Sequence, residues 1–215
     1  MKITYILLAT FSLSILMMIS FFISTLIINK KNNKNIDIRN VFPFEARLTN
    51  QYKSINVFLF ISFISTLGGA ILFASKYLDV LPIILVVAVL LLLFSTAAIF
   101  YIDLRHLKEH LYISLAIVAL YFLAVGFLTY LSHSICKLFD YQNITGIISL
   151  VISALLLLLA LFFIINPKIF DLKMNVDEKG NESRPKYFHL AFTEWVISLS
   201  IPLLQLPLIL LASIL

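Results

Sequence analysis

Residues 146–165 read GIISLVISALLLLLALFFII, twenty positions with no Asp, Glu, Lys, Arg or His among them. As an α-helix, a run of that length rises about 30 Å, the thickness of a bilayer's hydrocarbon core. Five further runs of the same kind lie at 3–29, 55–75, 81–101, 111–131 and 195–215, and none carries Asp, Glu, Lys, Arg or His. Such a chain needs a solvent other than water. Of its 215 residues 61% are apolar and 13% charged, against about 25% charged in soluble domains, and its mean hydropathy is +1.04.

The connections fix the expected threading. Short cytoplasmic loops accumulate Lys and Arg, and exported ones do not. Lys30, Lys31, Lys34, Arg39, Arg47 and Lys53 fall in 30–54, Arg105 and Lys108 in 102–110, and Lys168, Lys173, Lys179, Arg184 and Lys186 in 166–194. Only Lys2, Lys76 and Lys137 of the 16 basic residues remain for the other side. The sequence therefore predicts an all-α integral membrane protein, a single polytopic domain over 1–215. It has six transmembrane helices, with the N-terminus and C-terminus both on the non-cytoplasmic side of a cytoplasmic (plasma) membrane. The +5 net charge then reports loop orientation, and no nucleic-acid partner is expected. Cys136 is the only cysteine, so no intramolecular disulfide forms.

Charge-free spans disfavour proton relays, voltage sensors and haem held by intramembrane histidines. What remains inside is Ser, Thr, Tyr, Gly, Pro and one Gln. The stretch Ser200-Ile-Pro-Leu-Leu-Gln-Leu-Pro207 is the best polar candidate, because each proline leaves a carbonyl one turn back without its amide. Gln205 and Ser200 there could contact a small solute, as broken helices do in transporters, or the segment is simply a kinked helix.

Three loop segments carry the rest of the chemistry. In 39–47, Pro43 suits a first helical turn. Phe42 and Phe44 are expected to dip into the headgroup layer, with Glu45 and Arg47 beside them on a surface for anionic lipid or a protein partner. His106-Leu-Lys-Glu-His110 has the H-x-x-E-H form of inverted zinc peptidases and places two imidazoles at i and i+4. His189, Glu194 or Glu45 would supply a third ligand. The competing reading is a charged helical cap with Arg105 and Glu109 paired. Residues 173–176 and 184–189, with a Gly-Asn turn between, predict a small hairpin.

Three functions follow from these features. The first is a non-enzymatic subunit or partner-binding component of a membrane assembly, acting through its cytoplasmic loops, with no cofactor and with oligomerisation left open. The second is a small-solute permease or channel with transport past Gln205. The third is an interfacial metal-dependent enzyme holding Zn2+ on His106, His110 and His189.

Overall fold

A computed structural model describes residues 2–31, 37–39, 41–43, 55–77, 81–100, 106–170, 175–177, 182–183 and 185–215. The apolar runs form helices, since in hydrocarbon a backbone must bond to itself. They are α1 (Lys2–Lys31), α2 (Ile55–Tyr77), α3 (Leu81–Ile99), α4 (Leu107–Leu138), α5 (Ile144–Ile165), α6 (His189–Ser200) and α7 (Gln205–Ala212). A 3-10 turn, Ile201–Leu204, joins α6 to α7. Among the described residues, five helical segments are long and apolar enough to cross a membrane, counting α6 to α7 as one, and α3 adds a shorter apolar stretch over Val86–Ile99. The chain is thus an α-helical protein of multi-pass membrane type.

Several boundaries move from those expected. The fourth helix begins at Leu107 and not at 111, and the last helical segment at His189 and not at 195. The first start adds four residues, Leu107 to His110, and the second six, His189 to Glu194, and both additions matter below. A hairpin is present with an earlier second arm than expected: β1 (Asn175–Val176) pairs antiparallel with β2 (Glu182–Ser183) and not with 184–189, so Pro185 lies past the second strand. Between α4 and α5 the chain reverses through Asp140 (φ 47°) and Tyr141 (φ 56°). The Asn143 side chain then caps α5, accepting from the amides of Thr145 and Gly146 at 3.0 and 3.3 Å.

Packing runs α1 to α2 to α3 to α4 to α5, and α7 closes the ring between α5 and α1 while also touching α2 and α4. The last segment is therefore central. Of its most apolar window 72% is buried, against 22% for α1 and 28% for α5. The polarity is that of a protein in lipid: Leu155, Leu158 and Phe162 of α5 face outward, while Ser14, Ser62, Thr66, Ser149, Ser153 and Gln205 are buried. Ser132 and Ser149 join α4 to α5 at 3.0 Å, and the Ser149 hydroxyl donates to the Pro207 carbonyl at 3.2 Å.

Candidate functional site

At the end of the bundle where α4 and α6 begin, a carboxylate lies inside the protein. Glu194, one turn into α6, is 2% exposed, and Oε1 sits 3.0 Å from Nε2 of His110, which is fully buried in the first turn of α4. Ser114, one turn beyond His110, donates its hydroxyl to the same Oε1 at 2.7 Å. Removing a carboxylate from water costs several kcal/mol unless charge and hydrogen bonds compensate it. The imidazole and the hydroxyl both approach Oε1 from one face of α4. Ser198 fixes the α6 backbone there, its hydroxyl donating to the Glu194 carbonyl at 2.6 Å.

A strap of the first connection covers the pair. Phe42 stands edge-on to His110, with ring centroids 5.1 Å apart, and packs equally close to Phe188. Its expected place in the headgroup layer is corrected: Phe42 is fully buried in protein. Backbone bonds hold it there, because the amide of Phe188 donates to the Arg39 carbonyl at 2.6 Å and Nε1 of Trp195 to the Val41 carbonyl at 2.8 Å. Trp195, the only tryptophan, is fully buried between Phe22 and Phe100. At the exposed tip, the Arg39 guanidinium makes a two-pronged bond to Asp37, with Nε to Oδ1 at 2.8 Å and Nη2 to Oδ2 at 2.6 Å. Those bonds bring the Asp37 carboxyl down to about 2.

No family model, no characterised protein and no solved structure matches this chain.

The histidines expected to share a metal point apart. His106 is exposed at the N-cap of α4, His110 turns inward to Glu194, and the His189 ring lies tilted against Tyr187 with centroids 4.7 Å apart. Glu109 is exposed beside them. Among the described residues, no three His, Cys, Asp or Glu side chains come together as a ligand set. Glu194, weighed as a third ligand, does reach His110, with Oε1 3.0 Å from Nε2. Phe44, Glu45, Arg47 and Arg105 lie outside the described residues.

Gln205 sits where α1, α2 and α7 meet. Thr10 donates to its Oε1 at 3.0 Å, and its Nε2 donates to Thr66 at 3.3 Å. Thr66 continues to Ser14 at 2.7 Å, and Ser14 to Ser62 at 3.1 Å. Gly69 makes this possible, because a Cβ there would overlap the Gln205 amide oxygen. Beside Gln205, a void of about 10 Å³ reaches Val89, Leu128 and Leu208, room for about one water. Ser200 is likewise engaged: its hydroxyl donates to the Tyr121 hydroxyl at 3.0 Å, tying α6 to α4. Pro202 lies in the 3-10 turn and Pro207 in the first turn of α7, so the segment is a tightened helix and not an open break.

Sequence reading missed Ser114 and the partners of Gln205. The signals were i,i+4 pairs in otherwise apolar helices: His110 with Ser114, Thr10 with Ser14, and Ser62 with Thr66.

Proposed function

We propose that the chain is a non-enzymatic component of a cell-membrane assembly that engages a protein partner through its cytoplasmic face. It threads the bilayer six times, with both termini on the opposite side. One observation carries this reading. Segments of the first connection, the fifth connection and the start of α6, remote in sequence, are fastened together through Phe188 to Arg39 and Trp195 to Val41. A loop used only as a linker gains nothing from such fastening, whereas a presented surface gains preorganisation, which lowers the ordering cost of binding. The Lys and Arg excess of these connections supports their placement on the cytoplasmic side.

The permease alternative draws less support, because the Gln205 amide is already engaged by Thr10 and Thr66. The metal-enzyme alternative draws less still, from the divergent histidines.

Two experiments test the reading. In a Cys136→Ser background, an impermeant thiol reagent applied outside intact cells should label Ser213→Cys and spare Asp177→Cys; the reverse pattern refutes the threading. A photo-crosslinker at Arg39 or Tyr187, followed by mild-detergent purification, should yield one stoichiometric protein adduct. Recovery of uncrosslinked chain alone from both positions refutes the partner.

A further inference from the structure

His110 and Glu194 both lie in helical stretches apolar enough to span a membrane, Lys108–Leu138 and His189–Ala212. Ionisable side chains inside such helices are rare, and ordinarily they mark proton or ion chemistry. We propose that the two form a proton-binding site whose occupancy decides whether the strap above it stays seated. As regulation of the partner surface this rests on the function proposed above; as a proton site it does not.

Nε2 of His110 and Oε1 of Glu194 are 3.0 Å apart, close enough to share one proton, and the Ser114 hydroxyl donates to the same Oε1 at 2.7 Å. With that proton the two side chains are neutral as a unit, whichever atom carries it. Without it a carboxylate stands beside a neutral imidazole, a net charge whose burial costs several kcal/mol. The strap is the element placed to respond, because consecutive residues of it grip both halves. Phe42 stands edge-on to His110, and the Val41 carbonyl accepts the indole N–H of Trp195, the residue after Glu194. Among the described residues the other titratable groups nearby turn away. His106, Lys108 and Glu109 of α4, Lys30 and Lys31 at the end of α1, and Lys168 ahead of α6 are exposed. His189 lies against Tyr187, Asp37 and Arg39 pair at the exposed tip of the strap, and α3, α5 and α7 contain no titratable side chain.

Proton counting gives the sign. Once hydrated, an ordinary imidazole has lost its proton above about pH 6.5 and an ordinary glutamate above about 4.3, whereas the seated site still holds one. Rising pH therefore favours release, the seated-to-open ratio falling about tenfold per pH unit where the two states differ by one proton.

Trp195 is the only tryptophan and reports the seating of the strap. In detergent micelles of the full chain without partner, iodide quenching of Trp195 should be low near about pH 5.5 and rise toward about pH 9 with the slope of one proton. Unchanged quenching over that range overturns the site. Glu194→Gln keeps an oxygen for Ser114 but binds no proton, so its Trp195 should stay protected at the alkaline end; release there as in the unsubstituted chain overturns the site too. His110→Gln keeps the test open should Glu194→Gln fail to fold. Release should then follow the carboxyl alone and begin about two pH units lower, the gap between ordinary imidazole and glutamate, and an unmoved profile overturns the pairing. Crosslinking at Arg39 or Tyr187 near neutral pH reports on the partner without reference to titration, so the two readings fail separately.

Discussion

Gly68 and Gly69 are adjacent in α2, yet a methyl group added at each should have opposite consequences. At Gly68 a new Cβ meets nothing within 4 Å; at Gly69 it overlaps Oε1 of Gln205 and comes within 3.1 Å of the Thr10 hydroxyl. Gly69→Ala must therefore displace the Gln205 amide. Overpacking of this kind costs about 1–3 kcal/mol, and the displaced amide loses its bonds to Thr10 and Thr66, about 0.6 kcal/mol each by membrane double-mutant cycles. The expected loss is about 2–4 kcal/mol, while Gly68→Ala should be neutral or stabilising by up to about 1 kcal/mol through helix propensity. Unfolding free energies in detergent micelles measure both. Gln205→Ala supplies the decisive background, because it deletes the obstructing amide. On it, Gly69→Ala should cost under about 0.5 kcal/mol, a coupling of at least about 1.5 kcal/mol between residues remote in sequence. If the two substitutions instead add, to within the ~0.5 kcal/mol expected of independent sites, the packing of α7 on α2 argued from Gly69 is wrong.

Further outcomes follow at the strap end. Glu194→Leu should destabilise by about 3–5 kcal/mol, and adding His110→Leu should restore part of that loss, since removing both members of a buried pair is milder than removing one; micelle unfolding of the single and double variants decides. Phe42→Ala should lose about 3–5 kcal/mol and loosen the strap. Fluorescence of the lone Trp195 should then shift to the red and become quenchable by iodide, and unchanged emission would mean that the strap is not seated on it. The Asp37 carboxyl, held down by Arg39 to about 2, gives a sign that can be checked. Its folded value lies below the ordinary ~3.9, so the pairing contributes fully above about pH 4 and is lost as pH falls through about 2. A carboxyl NMR titration with its midpoint near 4 would refute the two-pronged bond to Arg39.

The membrane class was legible because it rests on properties that add along a helix. Residues 146–165 are apolar at nearly every position, so no arrangement of the remainder could make them a soluble surface. Which helix lies at the centre was not legible. By composition α5 is the more apolar, yet α5 faces outward and the last segment, with Gln205, two prolines, Trp195 and Glu194, takes the core. Lipid is as apolar as leucine, so burying leucine against protein gains little over leaving it in the bilayer, whereas a buried amide or carboxylate needs partners that only protein supplies. Polar content, rather than hydropathy, marks the central span.

The same principle explains why the site at the loop-rich end was half seen. His110 stood out through its spacing from His106, and Glu194 was named beside it, but as members of a metal set on an exposed loop. Helical periodicity placed both histidines on one face; the start of α4 at Leu107 instead leaves His106 at the N-cap, outside the regular turn that i,i+4 spacing requires. Once His110 turns inward, a partner for it must come from a neighbouring helix. Ser114 and Glu194 are the side chains that reach it. A sequence window cannot contain that contact, because 80 residues separate Ser114 from Glu194. What the sequence does hold is the cost side of the argument: a glutamate only one residue before the apolar run 195–215 must leave the membrane boundary or find partners inside the protein, and here the bundle supplies an imidazole and a hydroxyl from the first two turns of α4.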